Sequence, residues 1–209
     1  MDRAPFSAIV EFNRANSDSL DVPVHTEVVM MKSAFEYFLG VGHDCNEMIG
    51  ALLPLIPTRP KHFPLDGPLA TRWPTANRKG IAIRPIEAWG REFCLRRNES
   101  AHGANRGANP GFVWSVHAHL AFASVLLPLL VKQQMVQLGF YQMAQRDTIQ
   151  LEVIESYVLL DPFAAPATQE DRIERPWSKV YSEIVCGELL RRELESRMNE
   201  IRWDEPPPT

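Results

Sequence analysis

Apolar residues recur at helical spacing through most of the chain. Over Val24 to Leu39, the side chains of Val28, Met31, Phe35, Phe38 and Leu39 fall on one stripe. Pro23 precedes that stretch, and Gly40 and Gly42 follow it, so it reads as a bounded helix. Asn46 to Ile56 repeats the pattern on a shorter scale, limited by Pro54 and Pro57. After Pro85, which suits a first helical turn, Ile86, Trp89, Phe93 and Leu95 predict a helix to about His102, with Gly103 as the stop. Phe112 to Leu138 is apolar on nearly every side, and a bend is expected at Pro128. Asp147 to Leu160 places Ile149, Val153, Ile154 and Tyr157 on one face. Pro176 to Arg202 predicts a last amphipathic helix with Val180, Ile184, Leu189 or Leu190 and Met198 toward the body. No segment alternates as a strand would. The expected architecture is all-α, a helical bundle of about five to six helices around the long apolar one.

The breaks between these segments set the organisation. Pro57 to Gly80 holds Pro57, Pro60, Pro64, Pro68 and Pro74 with interleaved Arg and Lys, and reads as a long basic loop. Asn105 to Gly111 reads as a turn, Asp161 to Pro176 as a Pro/Ala linker, and Pro206 to Pro208 as a disordered tail. The 209 residues are therefore read as one helical domain over 1–160, carrying the Pro-rich basic loop at 57–80. Residues 161–209 add a linker and a C-terminal helix packed on the same domain. Apolar residues at 45% are enough for a sizeable core.

Charge changes the picture in one place. The chain carries a net −4, unlike a general nucleic-acid coating protein. Yet Arg59 to Arg106 holds ten basic residues against four acids, leaving the rest of the chain at −10. That segment either attracts a polyanion or is a solvated basic stretch. Cys45, Cys94 and Cys186 are widely spaced with no Cys-x-x-Cys, which argues for a reducing compartment and against a disulfide framework. The N-terminus lacks an apolar leader core, so the expected location is cytoplasmic. Residues 107–131 carry no fixed charge, but His117, His119, Ser115, Ser124 and Pro128 interrupt the run, so a core helix is expected rather than a membrane span.

The candidate chemistry lies in Arg97-Asn98-Glu99-Ser100-Ala101-His102-Gly103. Arg binds phosphate through a fork of donors, and His exchanges protons near neutral pH. Together they can cut RNA without a metal. A five-residue step sets Arg97 and His102 about 140° apart on a straight helix. Three arrangements can still unite them. Asn98, four residues from His102, can orient the imidazole while Arg97 swings in; the helix can loosen before Gly103; or the groups can meet across a dimer seam. Arg96, Arg106, Lys79 and Arg78 are candidate RNA-binding residues. His117 and His119 lie on different faces and are expected to be core or interface residues. His25, His43 and His62 are isolated, and Asp44 is read as a helix start. Trp73, Trp89 and Trp114 suit core anchoring better than base stacking. Glu36 is a candidate partner for an arginine of the motif helix. No phosphate loop, nucleophile elbow or metal cluster appears, so no metal or cofactor is expected.

Phe93 to Gly103 resembles the Arg-x4-His signature of the HEPN superfamily. Ala34 to Leu39 looks like the first-helix pattern of its Apea-like group, Phe12 to Asn16 like the approach before it, and Trp114 to Leu130 like the helix after the motif. The resemblance covers about residues 8–160. It implies an α-helical, usually dimeric domain, and in catalytic members a metal-independent endoribonuclease of phage defence, toxin–antitoxin or RNA-processing systems. Carried over, Arg97 and His102 would be catalytic and Asn98 their polar neighbour. The implied partners are RNA, a second copy and an antitoxin or regulatory protein. Non-catalytic members of the superfamily imply the alternative, an RNA-sensing or protein-interaction module.

Overall fold

The structure, a computed structural model, describes residues 4–16, 22–57, 84–101, 114–159 and 177–203. The expected basic loop after residue 57, the 105–111 turn, the 161–176 linker and the Pro206–Pro208 tail lie outside the described residues. Every regular element among the described residues is helical, so the fold is an all-α bundle. Its helices are α1 (Ala4–Ala15), α2 (Val24–Leu39), α3 (Cys45–Leu52), α4 (Pro85–Ala101), α5 (Val116–Gln137), α6 (Gln145–Glu152), α7 (Ile154–Leu159) and α8 (Trp177–Trp203).

Local chemistry explains most of the boundaries. α2 starts after Pro23 and stops at Gly40, whose φ of 66° is the left-handed conformation that glycine adopts without a Cβ clash. The amides of Gly40 and Val41 both return to the Glu36 carbonyl. Asp44 caps α3 by accepting from the amides of Asn46 and Glu47 at 2.7 and 3.1 Å. The helix expected to run to Ile56 ends at Leu52 and tightens into a 3₁₀ turn over Leu53–Leu55 that contains Pro54. Ser115 caps α5, accepting from the Ala118 amide at 3.1 Å, so that helix begins four residues after Phe112. It continues past Pro128 to Gln137. The single helix expected over 147–160 is two, α6 and α7, divided at Val153.

α1 is an element the periodicity did not announce. It buries only the small residues Ala8 and Ala15, with Phe12 partly covered, and leaves Phe6 and Ile9 exposed. It lies along α2, which also packs against α3, α4 and α5. The core gathers Phe35 of α2, Trp89 and Phe93 of α4 and Phe122 of α5. Trp89 and Phe93 stack at 5.0 Å between ring centres, and Phe122 meets Trp89 edge-on at 4.8 Å. Each such side chain contributes roughly 1.5–3 kcal/mol by leaving water. The apolar helix α5 is long enough and apolar enough to cross a membrane by composition, but half of its most apolar stretch is packed inside the protein. Trp89 and Trp114 are core anchors, as expected. Leu95, expected inward, is exposed, and so are Leu190 and Met198 of α8, whose described inner face is Val185, Glu188 and partly Leu189. Val180, Ile184 and Tyr157 are not among the described side chains.

Candidate functional site

Helix α4 carries the candidate motif, and its inward face is rigidly held. Trp89, Phe93 and Cys94 are buried, and Gly90 lets α3 approach so closely that a Cβ there would sit 3.3 Å from Ile49 Cγ1. One turn before the motif, Glu92 and Arg96 grip the backbone of Trp114 from both sides. The Trp114 amide donates to Glu92 Oε1 at 2.8 Å, and Arg96 Nη2 donates to the Trp114 carbonyl at 2.7 Å. Glu92 Oε1 also meets His119 Nε2 at 3.2 Å. His119 is fully buried between Phe93 and Trp114, and burial depresses its pKa despite the opposing pull of Glu92. It is therefore the core histidine the sequence suggested. The motif's connecting residues thus leave α4 at Ala101 and return to a point that α4 itself holds.

The basic segment divides once its partners are visible. Arg84 binds Glu155 of α7 through Nε and Nη2 at 3.0 and 3.1 Å, and donates to the carbonyls of Leu53, Ile56 and Pro57. Arg91 pairs with Glu87 at 2.8 Å. Arg96, a candidate RNA-binding residue, donates through Nη2 to the Trp114 carbonyl. Arg97 is different. Among the described residues its Nη1 reaches only the adjacent Asn98 Oδ1 at 3.4 Å, and its buried Nε has no partner. A guanidinium has five N–H donors, so most of those of Arg97 are uncommitted. Arg97 and Asn98 are thus neighbours near the C-terminal end of α4. His102, Arg106, Lys79 and Arg78 lie outside the described residues, as do Trp73 and His62, and the meeting of Arg97 with His102 is not described.

Two neighbours were not legible in the sequence. His25, read as isolated, places Nδ1 3.2 Å from Ser100 Oγ, joining the start of α2 to the last turn of α4. Ser100 is three residues beyond Arg97, on the same side of the helix. Glu36 does not pair with an arginine of α4. It binds Lys32, one turn back on α2, and His43 Nδ1 at 3.0 Å. The (i, i+4) spacing of Lys32 and Glu36 was the available signal for that pair. Among the described residues no three His, Cys, Asp or Glu side chains converge as a metal-binding group. No protein-family model, curated protein or solved structure matches the chain.

Proposed function

We propose that the C-terminal end of α4 is a metal-independent RNA-cleaving site of the HEPN kind. Arg97 binds the scissile phosphate, His102 transfers the proton, and Asn98 assists at the edge of the guanidinium. One observation supports the reading: among the described residues Arg97 keeps uncommitted donors, while Arg84, Arg91 and Arg96, which precede it, each hold protein groups. A planar fork with spare donors suits the equatorial oxygens of a phosphate.

In the reaction a ribose 2′-oxygen forms a bond to the neighbouring phosphorus, and the bond from phosphorus to the 5′-oxygen breaks. One imidazole takes the 2′-hydroxyl proton and another gives a proton to the leaving 5′-oxygen. The His102 side chains of two copies in a dimer would divide these tasks. The product is a 2′,3′-cyclic phosphate. The His25–Ser100 hydrogen bond steadies the last turn of α4 and so the direction from which Arg97 reaches the phosphate.

The test is incubation of the full chain with total RNA in a chelator. Cleavage is expected, with cyclic phosphate ends, and both His102→Ala and Arg97→Ala should slow it by at least about 100-fold. A His102→Ala protein that cuts as fast as the parent overturns the assignment. RNA retained by the parent but left uncut would favour a sensing module instead.

A further inference from the structure

We propose that the cavity between α1 and α5 binds the alkyl tail of a single-chain amphiphile and leaves its polar head in water. The inference does not depend on the RNA-cleaving reading. The cavity has a volume of about 260 Å³. Ile9 and Phe12 of α1 form one wall, and Leu127, Pro128 and Val131 of α5 form the other. Ala8 also faces it but supplies only a methyl group, so the two helices leave a space that their own side chains do not fill. A dry cavity of roughly 150 Å³ walled by such residues takes a benzene ring, so this one has room for about eight to ten hydrocarbon carbons.

The wall decides the chemistry of the occupant. Ile9, Phe12, Leu127, Pro128 and Val131 present carbon alone, with no side-chain donor or acceptor. Lys132 borders the cavity too, but its Nζ donates to Asp147 Oδ2 of α6 at 2.7 Å. The ammonium is thus neutralised by α6, and what Lys132 offers the cavity is its stem. A charged or hydrogen-bonding group placed inside would lose its hydration and gain no partner in return. Water is poorly held there for the same reason, so a hydrocarbon displaces little of value.

The shape favours a chain. Ser124 Oγ donates to Asn16 Oδ1, which pins the end of α1 beside the middle of α5. From that point the helices run antiparallel, with Phe12, Ala8 and Ile9 sharing the cavity with Leu127, Val131 and Lys132. About one turn further lie Phe6 on α1 and Met135 and Val136 on α5, all three exposed. The apolar surface therefore continues out of the cavity into solvent, past the half-exposed Ile9. Leu127 to Met135 is a step of eight residues, roughly 12 Å along a helix axis, close to the length of an alkyl chain of about ten carbons. A compact ring would fill the inner end and leave the outer apolar residues bare. Leu190, Leu194 and Met198 of α8 are exposed as well, but they stand on one helix without a facing wall among the described residues. Binding of a tail also gives a reason for α1 to carry Ile9 and Phe6 outward while burying alanines against the bundle.

The experiment titrates the full chain, labelled with carbon-13 at its methyl groups, with hexyl, octyl, decyl and dodecyl maltoside, each below its micelle concentration. These probes share one uncharged head and differ only in the tail. Saturable shifts are expected at the methyls of Ile9, Leu127 and Val131. Affinity should rise about fourfold per methylene from hexyl to octyl and stop rising beyond decyl, where the track ends. Ile9→Glu puts a charge at the half-exposed mouth, and Val131→Trp fills the space; each should weaken octyl maltoside by at least about tenfold. Ile9→Glu carries the test if Val131→Trp fails to fold, because its site is half open to water. Leu194→Glu, on the unwalled stripe of α8, should leave binding unchanged. The proposal is overturned if no shift saturates, if shifts spread over Leu190 and Leu194, if affinity keeps climbing at dodecyl, or if a folded Ile9→Glu binds as tightly as the parent. Association with phosphatidylcholine vesicles without binding of the monomeric probes would overturn it in favour of a membrane surface. No RNA enters the measurement, so its failure and a failure of RNA cleavage are separate results.

Discussion

Helices α4 and α8 are both rich in charge, and they use it in opposite ways. Most of the polar side chains around α4 reach other elements, although Arg91 pairs with Glu87 of the same helix. Arg84 clamps Glu155 and three carbonyls, Glu92 holds His119 and the Trp114 amide, and Arg96 holds the Trp114 carbonyl. Those of α8 mostly reach one turn along their own helix. Glu188 binds Arg191 and Arg192, Arg191 also binds Glu195, and Glu193 binds Arg197, while Arg192 also crosses to Glu152 of α6. Partly buried contacts of the first kind fix the bundle, because removing one partner strands the other away from water. The exposed pairs of the second kind, such as Arg197 with Glu193, add only a few tenths of a kcal/mol. Within α4, Arg97 breaks the rule of its own helix. Among the described residues it holds only its neighbour Asn98, which is the feature the proposed phosphate-binding role uses.

The sharpest way to break this contrast is Glu92→Ala. It leaves His119 and the Trp114 amide without their shared acceptor. The expected loss is about 3 kcal/mol, seen as a fall in Tm on the order of 10 °C in a circular-dichroism melt. A melt unchanged from the parent would mean that α4 is no more dependent on its charges than α8.

Acid probes the same network more gently. The folded-state pKa of His119 is depressed, so the unfolded chain takes up the proton first. The His119 contribution is complete above its ordinary pKa of 6.5 and is lost as pH falls below it, by at most about 1.4 kcal/mol per pH unit. Urea midpoints at neutral pH and about one unit below 6.5 should differ, and His119→Gln, which keeps a donor toward Glu92, should reduce the difference.

Smaller still is the effect of Arg97→Ala on folding, expected within about 0.5 kcal/mol by chemical denaturation, although RNA cleavage should disappear. A large stability loss there would make Arg97 one more structural clamp. Least of all should be Arg197→Ala on α8, with Tm within about 1 °C of the parent.

These regions also differ in how far the sequence reveals them. α2 is legible to the residue because Pro23 and Gly40 act through local backbone chemistry. α1 is not, since a helix that buries Ala8 and Ala15 and exposes Phe6 has its apolar signal inverted. Leu95, Leu190 and Met198 mislead in the opposite sense, being apolar residues that helical spacing sends inward but no neighbouring element covers. At the site, Arg97 and Asn98 are readable as neighbours. His25 against Ser100 is not, because that pair is joined by helix packing across a long stretch of chain. The hold of Arg96 on the Trp114 backbone is hidden from the sequence for the same reason. Only the folded chain shows the Trp114 carbonyl waiting for it.

The two-sided hold on Trp114 also bears on how this protein can vary. Residues 102–113 join two points that α4 fixes relative to each other, so changes between them need not be transmitted to the helices. For a chain spanning fixed ends, doubling its length costs only about 0.6 kcal/mol. Changes of chain length within that interval that keep His102 are thus expected to cost the scaffold little.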